Sequence, residues 1–222
     1  MSMITETLPN TIEVGGRVFL VNSDFKTMLR IQELLSQSGD NDDRIKNALF
    51  WFYGSEDKTL FENAEEAAEK FIWFYFCGKP PKEKPQKKEA EIEEGADQDV
   101  NSSVLPCYSY EHDAPLIYAA FMQQYGIDLA DANNLHWWKF RALFESLNES
   151  TLFYEVRKCR AVKISSKMSS TQQDYYREMK KRYALPLPQK EQEYQDALTE
   201  ALMNGGDVDA VISKFNKEGG GD

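Results

Sequence analysis

Apolar residues recur along this chain at spacings that change from segment to segment. In TIEVGGRVFLV two short β-prone runs flank Gly15-Gly16, which predicts strands over 11–14 and 17–21 joined by a two-residue hairpin turn. The spacing then turns helical. In DFKTMLRIQELLSQ the residues Phe25, Met28, Leu29, Ile31, Leu34 and Leu35 form one stripe, with Asn22 or Ser23 as the expected cap and Gly39 as the stop.

A second helix is expected from Asp42 and Asp43, whose carboxylates suit a helix N-terminus, with Ile45, Ala48, Leu49 and Phe52 on one face. Phe50 and Trp51 fall off that face. A third, NAEEAAEKFIWFYFCG, runs from an Asn63 cap to Gly78 with Ala64, Ala67, Ala68, Phe71 and Tyr75 as its stripe. Trp73 points away from the stripe, toward the side of Glu66 and Lys70, and Phe76 also lies off it.

Residues 79–103 break the pattern. They hold three prolines, twelve charges and no aromatics, a composition expected to form a disordered linker. Beyond it, Glu111, His112 and Asp113 precede Pro115 at a helix start, and Gly126 ends that helix. Asn133 or Asn134 is the expected cap of the next, HWWKFRALFESL. Its projection gathers Trp137, Phe140, Leu143, Phe144 and Leu147 on one face and Leu135, Trp138 and Ala142 as a second strip on the opposite side, so the helix is expected to be covered on two sides, with Trp138 a candidate for a contact outside the main core. Further helices are expected over 151–161 and in SSTQQDYYREMKKRY, before Pro186 and Pro188 break the pattern.

The fold class is therefore mostly α: a small N-terminal β-hairpin followed by about six or seven helices, interrupted by the charged linker. The expected organisation is 8–78 and 104–185 sharing one core, 79–103 as linker, and 186–222 as an acidic, partly helical or flexible tail.

Charge narrows the functional classes. A net charge of -11 argues against wholesale wrapping of nucleic acid, which needs clustered Lys and Arg. One block runs the other way: residues 157–183 carry nine Lys or Arg against Asp174 and Glu178. Arg157, Lys158, Arg160, Lys163, Lys180, Lys181 and Arg182 form a candidate basic patch. It can be read as a solvated helical face, as a surface for an acidic protein or a second copy of this chain, or as a nucleic-acid site.

Chemistry for an enzyme is sparse. His112 and His136 are the two histidines, and the adjacent side chains of Glu111, His112 and Asp113 diverge on a helix instead of converging on a substrate. Cys77, Cys107 and Cys159 have no metal-type spacing, which predicts no disulfide framework, no metal and no cofactor. No apolar run has the length of a membrane span, and the N-terminal residues lack the pattern of a signal peptide, so no membrane association or export is expected. The aromatics remain. An aromatic off its stripe is either covered by a neighbouring helix or exposed as a protein-binding surface, and Phe50, Trp51, Trp73, Phe76 and Trp138 are the candidates.

The run APLIYAAFMQQYGIDLADANNLHWWKFRALFESL, the basic helix after it and DYYREMKKRYAL together resemble the bacteriophage gene-product-fifteen family of siphophages infecting Gram-positive bacteria. VNSDF in the first half adds to the likeness, which spans roughly residues 8–185. The resemblance implies a non-enzymatic tail assembly chaperone that binds the phage tape-measure protein, keeps it soluble and helps recruit tail tube subunits. Partners implied are the tape-measure protein, the tail tube protein and a companion chaperone, with self-association open and no nucleic acid. It further implies action in the host cytoplasm and absence from the mature virion. A structural tail or head-tail joining protein is the alternative.

Overall fold

In a computed structural model of the protein, the residues described are 4–36, 41–79, 107–186, 194, 197–200 and 202–203. The expectations for Gly39, for the charged segment beyond Lys79 and for most of the tail lie outside them. The chain is mostly helical with a small N-terminal antiparallel hairpin, and it divides into two compact units, Met1–Lys158 and Cys159–Asp222.

The hairpin pairs β1 (Thr11–Val14) with β2 (Arg17–Leu20), Val14 opposite Arg17. Gly15 and Gly16 supply the two positive φ angles, +56° and +74°, that a two-residue turn between twisted strands demands. Alternation sorts the side chains: Ile12, Val14 and Phe19 enter the core, while Thr11, Glu13, Val18 and Leu20 face outward. The turn itself is docked. Gly15 N donates to Glu66 Oε2 at 3.0 Å, and a Cβ added at Gly15 would lie 2.6 Å from Asn63 Nδ2.

Helix α1 (Phe25–Ser36) buries Phe25, Met28 and Ile31 as the stripe predicts. Its cap is a correction: the Asp24 carboxylate, and neither Asn22 nor Ser23, accepts from the first-turn N–H of Lys26 at 2.9 Å. Asn22 instead donates its side-chain amide to Trp51 O, and its backbone N–H to Phe52 O. Helix α2 (Asn41–Tyr53) buries Ala48, Phe52 and Tyr53, whereas Ile45 from the expected face is exposed.

The sequence reading missed the five-residue α3 (Lys58–Glu62), whose N–H at Thr59 is capped by Asp57. Asn63 therefore ends α3 as it begins α4 (Ala64–Tyr75), and its side chain donates back to Thr59 O instead of capping α4. The buried stripe of α4 is Ala67, Phe71 and Phe74; Ala64 is exposed.

In the second half, α5 (Ala114–Tyr125) ends at Gly126 with φ +65°, the left-handed stop the sequence implied. The Asp113 carboxylate before it accepts from Ser109 N at 2.9 Å. Helix α6 (Trp137–Glu145) packs Trp137, Trp138, Phe140 and Phe144 into the same core that α1, α2 and α4 enter, so residues before and after the charged segment share one apolar interior. Helix α7 (Leu152–Ala161) adds Phe153 to it. In the second unit, α8 (Ser170–Arg182) opens with a capping box between Ser169 and Gln172 and has no fully buried residue.

The docked turn gives the first prediction. Gly16→Ala meets no atom within 4 Å and should cost about 1 kcal/mol for its left-handed φ alone. Gly15→Ala must also displace Asn63 from Thr59 O, and we expect it to cost roughly 1 kcal/mol more in urea unfolding. Equal costs would mean that the turn does not press on the α3-α4 junction.

Candidate functional site

Trp138 is not a surface residue. It is 1% exposed, and its indole N–H donates to Phe74 O at 2.8 Å, while Trp137 donates to Tyr75 O at 2.9 Å. The second strip is covered at Trp138 by α4, where the indole packs edge-on to Trp73 at 5.5 Å between ring centroids, so this residue joins the main core instead of making a contact outside it, while Ala142 is exposed. The two tryptophans meet the last carbonyls of α4, whose end is a Schellman motif: Gly78 N donates to Trp73 O and Cys77 N to Phe74 O. Cys77 takes the left-handed position usually given to glycine, φ 56°, and burial pushes its thiol up to about 11, which keeps it protonated and unreactive near neutral pH.

His136 caps α6, where Asn133 or Asn134 was expected. Its Nδ1 accepts from Trp138 N at 3.1 Å, so the proton sits on Nε2, which donates to Pro9 O at 3.0 Å. Beside it, Trp137 N donates to Ser23 O and Phe25 N to Leu135 O, a backbone bridge that joins the starts of α6 and α1.

The other four aromatic candidates are exposed: Phe50 44%, Trp51 39%, Trp73 37% and Phe76 39%. Phe50 and Trp51 lie on the outward side of α2, and among the described residues neither makes a ring contact with Trp73 or Phe76. Trp73 and Phe76 belong to a strip on α4 that the sequence reading left incomplete, since Ile72 is also exposed and lies one turn from Phe76. Helical projection of α4 carries that signal once Phe74 is placed inside. The hairpin adds Val18 and Leu20, 69% and 70% exposed, which strand alternation from Phe19 would have found.

The basic candidates are divided between the two units. Arg157 lies over the rings of Tyr108 and Phe153, at 5.7 and 5.9 Å from their centroids, and Lys158 is 4.0 Å from Glu155. In the second unit Arg160 Nε donates to Tyr183 O, Lys180 Nζ donates to Arg160 O, and Arg182 pairs with Glu178. Lys163 and Lys181 are exposed. Several of these cations are thus occupied in holding the chain together.

Glu111 and His112 lie at the surface, 4.0 Å apart, while the Asp113 carboxylate turns inward to Ser109. Among the described residues no group of three His, Cys, Asp or Glu side chains is placed to hold a metal ion, and no helix is long and apolar enough to cross a membrane.

These features define a mostly α class with an N-terminal hairpin, whose largest aromatics divide between a shared core and the outer sides of α2 and α4. Residues 4–185 match the family described as Bacteriophage Gp15 protein, and the chain belongs to that family. It is a bacteriophage structural or morphogenesis protein, from a family not known for enzymes. No curated protein and no solved structure matches the chain.

Two predictions follow from the α4-α6 contact. Trp137→Phe keeps the apolar bulk but strands Tyr75 O, so we expect a loss of about 1–3 kcal/mol in urea unfolding; Trp138→Ala removes a whole buried indole and should cost about 3–5 kcal/mol. A loss within 0.5 kcal/mol for both, roughly the range of surface changes, would exclude a structural role. His136 sets a pH dependence. Burial lowers its pKa from the usual value, so below about 6.5 the unfolded chain binds a proton that the folded one resists. Its contribution is full above that pH and is lost as pH falls toward the folded pKa. His136→Asn keeps an acceptor for Trp138 N, and its stability should be flatter between pH 7 and 5, about the range in which histidine titrates.

Proposed function

We propose that the protein is a tail assembly chaperone that binds the tape-measure protein through the outer side of α4. The observation that carries this reading is the exposed strip of Ile72, Trp73 and Phe76 on a member of a phage morphogenesis family. Exposed aromatics are costly to leave in water and are the side chains most often found at the energetic centre of protein interfaces. A strip with neighbours at i and i+4 suits the apolar face of a partner helix. The strongly acidic chain would keep such a complex dispersed. Phe50 and Trp51 on α2 offer a second contact area, and the tail tube protein and a companion chaperone are the further partners that this role requires. The proposed place of action is the host cytoplasm during assembly.

Co-expression with the tape-measure protein encoded by the same phage tests the reading. We expect the tape-measure protein to stay soluble and co-purify, and Trp73→Ala with Phe76→Ala to weaken the complex at least tenfold while lowering folding stability far less than Trp138→Ala does. If purified virions contain the chain at stoichiometric levels, the chaperone role fails and a structural joining role takes its place.

A further inference from the structure

We propose that the free edge of β1, beside α4, takes an extended segment of a partner protein as a third strand, one that alternates basic and apolar side chains. Val21 N donates to Asn10 O at 2.9 Å, which makes those opposed residues a hydrogen-bonded pair. With Thr11 opposite Leu20, Ile12 opposite Phe19 and Glu13 opposite Val18, the alternation makes Ile12 and Val14 bond inward to β2 and turns the N–H and C=O groups of Thr11 and Glu13 away from it. Among the described residues no backbone or side-chain group pairs with those outward amides. Among the described residues they form an unpaired strand edge, the feature that other chains pair with.

This edge borders a groove. Thr11, Ile12 and Glu13 line one side and Glu69, Lys70 and Trp73 the other, around a volume of about 390 Å³. That is near the low end for a small-molecule cavity, and the groove is open to solvent, so it suits side chains of a segment laid along it better than an enclosed ligand. Strand pairing gives the occupant a period of two: one set of side chains would face Trp73, the other would stand beside Glu13. Trp73 asks for an apolar group or the stem of a long cation. Glu13 and Glu69 have no ion-pair partner among the described residues, and they ask for cations. Lys70 opposes them, but two carboxylates outweigh it, and the net charge of -11 favours the approach of a basic segment.

Among the described residues the outer edge of β2 is also unpaired at Val18 and Leu20, but the chain leaves it at once when Asn22 N bonds to Phe52 O. The β1 edge is therefore the docking edge. This site goes beyond the helix-binding strip and does not depend on the tape-measure protein as partner.

The test uses the full chain and an N-acetylated, C-amidated peptide of alternating lysine and valine, followed by NMR titration and amide exchange. We expect saturable binding, slowed exchange at Thr11 and Glu13, and unchanged exchange at Val18 and Leu20. Thr11→Pro removes an outward N–H without touching the β1-β2 ladder, and should weaken binding about tenfold with the fold intact by circular dichroism. Glu13→Gln with Glu69→Gln should weaken it about fivefold and reduce its salt dependence. A peptide N-methylated along its pairing edge checks the mechanism without altering the protein, and it should not bind. No saturation by about 5 mM, a scale near the weakest useful affinities, would overturn the proposal. So would equal binding of the N-methylated peptide, or protection at Val18 and Leu20 in place of Thr11 and Glu13.

Discussion

Two adjacent indoles cannot be buried unless both N–H groups find acceptors, and the rest of the first unit is organised around how this chain meets that demand. The last turn of an α-helix has carbonyls without intrahelical donors. Trp137 supplies a donor to the Tyr75 carbonyl, and Trp138 gives the Phe74 carbonyl a second donor beside Cys77 N, so both indoles are satisfied at the end of α4. An unpaired group of either kind would cost about 1–3 kcal/mol, a large fraction of the stability of a small domain. The contact fixes the end of α4 against the start of α6, across the charged segment that separates them in sequence. The backbone bridge from Ser23 and Phe25 to Leu135 and Trp137 then places α1 on the same point. His136 closes the arrangement by holding Trp138 N with one ring nitrogen and Pro9 O with the other.

Periodicity made the elements legible where each helix meets the core on a single face. The stripe of α1 and the stop at Gly126 are local properties, and the structure keeps them. Several failures involve a partner that sequence spacing cannot show. Projection gives α6 a second covered side at Trp138, but it cannot show that the cover is α4 and that this side belongs to the same core as Trp137. The caps moved for a related reason. Asp24 caps α1 where Asn22 or Ser23 was expected, and His136 caps α6 where Asn133 or Asn134 was expected; Asn22 is committed to Trp51 O, and Asn63 closes α3 on Thr59 O instead of capping α4. α3 is too short to give a periodic signal.

The same logic separates core aromatics from surface ones. Phe71 and Phe74 on α4 enter the core with Phe52, at 5.1 Å between centroids in both cases, while Ile72, Trp73 and Phe76 share the helix but lie on its outer side. A helix that is apolar on both sides either joins two layers or presents one side to a partner. Trp73 does some of each, since one part of its ring rests on Trp138 and the rest remains in solvent. Fixing its position costs the partner nothing, because the buried indole beneath already restrains it. That restraint is what lets a partly exposed side chain act as an anchor without losing much entropy on binding.

The basic residues of 157–183 show how far composition can mislead about a surface. As a count, the block is the most positive part of an acidic chain. As side chains, Arg157 covers two aromatic rings, and Arg160 and Lys180 tie the segment before α8 to its C-terminal end through Tyr183 O and Arg160 O. A unit in which α8 has no fully buried residue draws little on apolar burial, and bonds from charged groups to backbone carbonyls are among the stronger hydrogen bonds available to it. The positive charge concentrated here therefore has a structural use that asks for no anionic ligand. By contrast, Glu13 and Glu69 have no ion-pair partner among the described residues, and they stand beside amides that the hairpin does not pair. Groups that the fold does not need, placed next to one another by a docked turn, are where a binding partner would find its contacts.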